Sequence, residues 1–272
     1  MYSRFGPSAR DVFTSDPMQR LSNVESALSR ISEPSQLFPV GLRWDESIGD
    51  ALLVLEPLSD SRGLAVGRIA TPYIMDHAMA QAKVAMGARM RETYLDFLDN
   101  TVLKDTAGTI FEMLSHRVLG SYKSPLSLTL LSSADSASAA QISLDFEMTS
   151  PPVFLENTQI HRNIKPRTYY RILQPAHAGV NAFMIIGDTL VYLQSTGSLQ
   201  RPVAFKDLSL IRKLVPAKHR KQCKLVFGVP SETVSNFRRT RQSITPPSSR
   251  QRWSDNVPQF VVSLSAEELF RQ

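Results

Sequence analysis

Apolar residues recur at helical spacing early in the chain, where Leu21, Val24, Leu28 and Ile31 mark one face of residues 18–31. Asp16 followed by Pro17 supplies an N-cap and a first-turn proline, which together predict where that helix starts. The run at 50–57, apolar from Ala51 to Leu55 and closed by Pro57, predicts a strand. Thr71-Pro72 repeats the capping arrangement ahead of Ile74, Ala78, Ala82 and Ala85, so a long helix begins there. A second helix is expected over 94–99, and a third over 106–119 with Ile110, Leu114 and Val118 on one face.

After Gly120 the period changes. Residues 126–131 and 141–148 have strand character, and the Ser/Ala-rich connector 132–140 predicts a hairpin loop between them. Residues 169–173 form another short apolar run. The segments 182–186 and 189–194 flank Gly187-Asp188, a dipeptide suited to a tight hairpin turn. Residues 205–214 predict a helix, 224–229 a buried strand closed by Pro230, and 259–264 a last strand. Ser265 then caps a short terminal helix through Glu268. The stretch 231–258 contains Pro246-Pro247-Ser248-Ser249, lacks apolar periodicity and reads as a long loop or insertion. Helices first, then hairpins mixed with helices, predict an α+β protein with a mixed β-sheet.

Composition narrows the classes. With 272 residues, 42% of them hydrophobic, the chain can bury a core of its own. It contains no run of 18 apolar residues, so no membrane-spanning helix and no membrane partner are expected. The first twenty residues carry Arg4, Arg10, Asp11 and Asp16 without an apolar stretch, which predicts no secretory leader. Cys223 is the single cysteine; it permits no internal disulfide and suits a reducing, intracellular compartment.

Charge is unevenly placed. Between Arg201 and Arg252 there are thirteen Lys or Arg against Asp207 and Glu232, a net charge of +11, so the rest of the chain carries −5 of the total +6. Such asymmetry attracts a polyanion through long-range field and counterion release; the plainer reading is a solvated basic face with a basic loop. No G-x-x-x-x-G-K-[ST] phosphate loop and no G-x-S-x-G nucleophile elbow occur.

Three segments, taken in order, resemble the C-terminal part of the Crinkler and retrotransposon-hot-spot proteins. Gly108-Thr109-Ile110-Phe111-Glu112, continued by His116-Arg117-Val118-Leu119, is similar to that family's "G-x-[LI]-F-E-x-x-x-H-R-x-L" helix. Asn181-Ala182-Phe183, with the next strand ending Leu193-Gln194-Ser195-Thr196, is similar to its "D-[AS]-F … F-Q-x-T" strand pair. Phe227-Gly228-Val229-Pro230 resembles the strand that ends in "F-V-V-P". The order and spacing cover about residues 65–265.

The resemblance implies a restriction-endonuclease-like fold, here without the ATPase module that usually precedes it. It places an N-terminal extension or linker remnant at 1–65 and a nuclease-like domain at 66–272, with the basic insertion at 231–258. It further implies DNA as partner, nuclear localisation, and either an ATPase acting in trans or a host nuclear protein as a second partner. Nucleases of this fold hold Mg²⁺ between a helix carboxylate, a strand Asp and the acid of an "E-x-K". Carried over, Glu112 takes the helix position, Asn181 the strand Asp, Gln194 the acid and Thr196 the lysine. One carboxylate in three remains, so the resemblance implies a vestigial site with Glu112 as a weak metal ligand and no resident cofactor, Mg²⁺ being the alternative. Asp188, in the predicted turn, is the one candidate stand-in for the missing Asp, but it lies seven residues from Asn181, at the wrong end of the strand.

His116 follows Glu112 by four residues and reads as a hydrogen-bonded core histidine, with a general base as the alternative. Arg117 is placed to contact phosphate or to favour the helix C-terminus. Lys213, Lys218, Arg220 and Lys221 flank the segment entering strand 224–229, which the resemblance sets near the DNA cleft. Trp253 pins the basic loop to the body or stacks on a base. Three functions follow: a degraded nuclease fold that binds DNA electrostatically, an active Mg²⁺-dependent endonuclease, and an effector-type module docking on an acidic protein.

Overall fold

The computed structural model describes residues 16–32, 36, 51–58, 61–69, 71–100, 103–131, 140–155, 164–172, 180–198, 202–237, 241–245 and 257–271. They form an α+β protein with an eight-stranded mixed sheet and six α-helices among the described residues. Half of the expected insertion, including Trp253, lies outside them. The chain divides into two compact units, 1–107 with 270–272, and 108–269. The expectation from resemblance set its boundary near residue 65.

The first unit holds α1 (Pro17–Ser29), a hairpin of β1 (Leu53–Leu58) and β2 (Ser61–Ile69), and α2 (Pro72–Asp99). Both expected caps are present. Asp16 accepts from Met18 N at 2.9 Å and Thr71 Oγ1 accepts from Ile74 N at 3.2 Å, so each proline follows a satisfied N-cap. Val24, Ala27 and Leu28 bury the inner face of α1 against α2, and Arg20 Nη2 donates to Ala51 O at 3.1 Å. The separate helix expected at 94–99 does not exist. It is the last turns of α2, where Tyr94 is buried and lies 5.6 Å, ring to ring, from Phe270.

The second unit is organised by the eight-stranded sheet. Its strands are β3 (Pro125–Leu130), β4 (Gln141–Asp145), β5 (Val153–Leu155), β6 (Tyr170–Ile172), β7 (Ala182–Ile186), β8 (Thr189–Ser195), β10 (Gln222–Pro230) and β12 (Gln259–Leu264). They lie side by side in the order β4-β3-β12-β10-β8-β7-β6-β5. β8, β10 and β12 run parallel; β3 with β4 and β7 with β8 are antiparallel hairpin pairs. All seven residues of β8 are buried, as befits a central strand covered on both faces, whereas β3 and β4 alternate and leave one face to water. α3 (Lys104–Gly120) enters this unit after Ala107. α4 (Phe205–Leu214) supplies the crossover that parallel β8 and β10 require.

The turn at Gly187-Asp188 has Gly187 at φ +61, the left-handed conformation that a glycine-first hairpin turn needs. Ser265 and Glu268 close the expected capping box ahead of α6 (Ala266–Phe270): Ser265 Oγ accepts from Glu268 N at 3.2 Å, and Glu268 Oε2 accepts from Ser265 N at 2.8 Å. Residues 231–258 are not wholly a loop. α5 (Val234–Phe237) buries Phe237, 5.3 Å from the Phe227 ring, and β11 (Ile244–Thr245) pairs with β9 (Val203–Ala204). Strands of two residues exist only through their partners, so no periodicity within them announces them.

Candidate functional site

The two faces of the central sheet differ. Leu190 and Tyr192 of β8 join a large apolar cluster with Phe183, Leu225, Phe227, Leu208 and Ile211, so that face is covered by α4. Ser195 points the other way. A Cβ placed on Gly228 would lie 3.3 Å from Ser195 Oγ and 3.7 Å from Leu119 Cδ1, which sets α3 against this second face and explains why a glycine is used there. The β7–β8 register, in which Ala182 pairs with Leu193, sets Asn181 next to Gln194 at the strand ends, and just past β8 a Cβ on Gly197 would lie 3.5 Å from Gly108 Cα of α3.

On the α3 side a polar cluster forms at the start of β7. Asn181 Nδ2 donates to Glu112 Oε1, joining two half-buried side chains sixty-nine residues apart in the chain. One turn further along α3, His116 is 2% exposed, and its Nδ1 shares a 2.5 Å hydrogen bond with the buried Tyr169 hydroxyl. Arg171 is 4% exposed and donates through Nη2 to Met113 Sδ at 3.1 Å. Burial, and after it the charge of Arg171, holds the His116 imidazole well below its ordinary value of 6.5, against a smaller opposing pull from Asn181. His116 is therefore a neutral, buried histidine at neutral pH. Neither its Nε2 nor Asn181 Oδ1 has a hydrogen bond of normal geometry among the described residues.

Mg²⁺ is the alternative that the resemblance leaves for this place, and the residues do not fit it. A small hard cation asks for several oxygen donors and negative charge. Here Glu112 already accepts from an amide, Arg171 brings positive charge to the same cluster, and Asn181, Gln194 and Thr196 add no negative charge at the other carried-over positions. Gln194 is 1% exposed, and neither of its amide atoms has a partner among the described residues. Thr196 Oγ1 accepts from Ser198 N at 3.0 Å, a local turn contact. No group of three or more His, Cys, Asp or Glu arranged to hold a metal occurs among the described residues. Asp188 is exposed in the turn at the opposite end of β7 and cannot stand in for an acid at Asn181.

The basic segment occupies that opposite end. β10 starts beside the turn, with Gln222 paired to Thr189 and Lys221 N donating to Asp188 O at 3.1 Å. Asn181 and the turn are separated by the five residues of β7, roughly 17 Å at strand rise. So Lys213, Lys218, Arg220 and Lys221 lie at the opposite end of β7 from Asn181, because parallel β10 enters the sheet there. Arg117 lies half-buried in the last turn of α3.

The four basic residues are themselves unlike. Lys213, Lys218 and Lys221 are exposed, whereas Arg220 is half-buried and its Nη1 donates to Arg212 O. Arg212 Nη1 returns the contact to Arg220 O at 3.4 Å and reaches Cys223 Sγ at 3.0 Å. His219 Nδ1 lies 3.0 Å from Gly187 O, and a carbonyl only accepts, so this nitrogen carries the proton. Tyr192, beneath this group, has its phenol pushed far up, first by burial and then by Cys223, with Arg212 and Arg220 opposing. No family model, curated protein or solved structure matches this chain. No helix among the described residues is long and apolar enough to cross a membrane.

Proposed function

We propose that residues 108–269 are a nuclease-like scaffold that binds nucleic acid and whose cation site has become a hydrogen-bonded cluster with a single carboxylate. The observation that carries this reading is the engagement of Glu112 by the Asn181 amide, beside a neutral buried His116 and the Arg171 charge. A carboxylate held in that way, without a second acid, is a poor host for magnesium. The order helix, antiparallel hairpin, crossover helix, parallel strand, formed by α3, β7–β8, α4 and β10, supports a restriction-endonuclease-like arrangement. The net charge of +11 between Arg201 and Arg252 supports a polyanionic partner, with DNA as the one the resemblance implies.

The deciding experiment incubates the full chain with supercoiled plasmid in Mg²⁺ or Mn²⁺, alongside a duplex-binding titration. The expected outcome is binding without cleavage, and binding retained by Glu112→Ala. Cleavage that Glu112→Ala abolishes would replace this reading with an active metal-dependent endonuclease. Absence of any nucleic-acid binding would leave a protein-docking module.

A further inference from the structure

We infer that the protein grips nucleic acid at the hairpin-turn end of its sheet, through lysine contacts to phosphates that carry no base information. This rests on the nucleic-acid-binding reading above and adds to it the surface, the chemistry and the kind of recognition. Lys213 is next to last in α4, Lys218 sits in the short 3-10 turn Ala217–His219, and Lys221 leads into β10. All three are exposed. Arg167 pairs with Asp145 and Glu147, and among the described residues none of these lysines makes an ion pair. In the neighbouring turn, the Asp188 carbonyl accepts from Lys221 N and Gln222 N.

The arginines at this end serve a different purpose. Arg212 and Arg220 each donate to the other's backbone carbonyl, and Arg212 also reaches Cys223, so their planar forks are turned inward. Base-edge reading of guanine rests on bidentate arginine forks, and single-strand capture rests on exposed aromatic platforms. At this surface the forks are engaged, and the exposed large apolar side chains among the described residues, Met18, Leu95 and Val153, are neither aromatic nor located here. What is left to meet a partner is a set of ammonium point charges. Such charges neutralise phosphates and read spacing along a backbone, not sequence. Arg212 and Arg220 act as positioning residues that tie the 215–221 segment to the end of α4.

The test measures affinity for several 20-base-pair duplexes of unrelated sequence across a range of NaCl concentrations, for the parent and for Lys213→Gln/Lys218→Gln/Lys221→Gln. Taking the difference between the two proteins removes any contribution from the rest of the chain. The expected result is a plot of log affinity against log salt that is shallower by about 2.7 in the triple variant, close to 0.9 for each phosphate no longer neutralised. The loss of affinity should be equal, within about twofold, for every duplex, and the charge-preserving Lys→Arg triple should keep the parental slope. A slope unchanged by the triple Gln variant, in a protein that still binds duplex, overturns the placement and leaves the nucleic-acid reading intact. A loss confined to one sequence overturns the claim of sequence-blind contact. A parent that binds no duplex, yet binds an acidic protein through these lysines, defeats both.

Discussion

The two ends of β7 solve the problem of charge in opposite ways. At Asn181 the polar groups are buried or half-buried: Glu112 meets an amide, His116 gives up its proton, and its ring leans on Tyr169. At Gly187-Asp188 the charges face water, and among the described residues the lysines make no ion pair. Desolvation explains the contrast, because a buried charge needs a partner or must be lost, whereas an exposed one is carried by solvent. Chemistry that depends on a cation would have to sit at the first end and polyanion binding at the second. With some 17 Å of strand between them, the two should be separable by mutation.

The largest expected effect breaks both ends together. Phe227 is fully buried in β10, the strand whose start carries the basic segment and whose later residue Gly228 packs against Ser195 and Leu119. Phe227→Ala should cost about 3–5 kcal/mol, read from urea unfolding, and should lower duplex affinity only as far as it unfolds the protein. A destabilisation under about 1 kcal/mol would mean that β10 is not the shared core of the two ends.

A smaller effect isolates the buried end. Asn181→Asp replaces the donor to Glu112 with a second carboxylate, which should destabilise by about 2–3 kcal/mol while leaving duplex affinity and its salt slope unchanged. Stabilisation of this variant by millimolar Mg²⁺, absent in the parent, would show that Arg171 does not prevent cation binding and would revise the account of the cluster.

Much of the architecture was legible where its causes are local. Asp16-Pro17 and Thr71-Pro72 announce helix starts because a cap and its first-turn proline are neighbours, and Gly187-Asp188 announces a hairpin because the turn itself requires a glycine conformation. β5, β9 and β11 were illegible because two or three residues become a strand only by pairing with distant partners. The contact between Glu112 and Asn181 emerges from the resemblance of two segments, not from either one. Which end of the sheet Lys213, Lys218, Arg220 and Lys221 occupy was illegible for a tertiary reason: the direction in which β10 joins β8 decides it. The division between Arg220 and the lysines depends on a carbonyl eight residues away, which no composition reveals.

Acidity offers a third probe of the same contrast. The folded affinity of His116 for a proton lies below its ordinary value, so above pH 6.5 the ring is neutral whether the chain is folded or not, and its share of stability is complete. Below pH 6.5 the unfolded chain binds the proton and the folded one does not, until the folded value is reached. Stability should therefore fall with pH by up to about 1.4 kcal/mol per unit from this group. His116→Leu should flatten that part of the profile in urea unfolding at pH 7.5 and 5.5. An equal fall in both proteins would mean that His116 does not resist protonation as its surroundings dictate.

The smallest expected effect tests whether it is unneutralised charge, rather than any charge, that binds nucleic acid. Arg167 is a cation of the same unit, held at φ +53, with its guanidinium 2.6 Å from Asp145 and 3.1 Å from Glu147. Both acids are well exposed, so water screens the pairs and Arg167→Gln should change stability by under about 1 kcal/mol. Its charge is already answered by two carboxylates, so removing it should leave the salt slope of duplex binding within about 0.3 of the parent. Each lysine at the turn should cost close to 0.9 in the same measurement. If Arg167→Gln shifts the slope as much as Lys218→Gln does, affinity follows the total charge of the molecule, and the turn end has no privileged role.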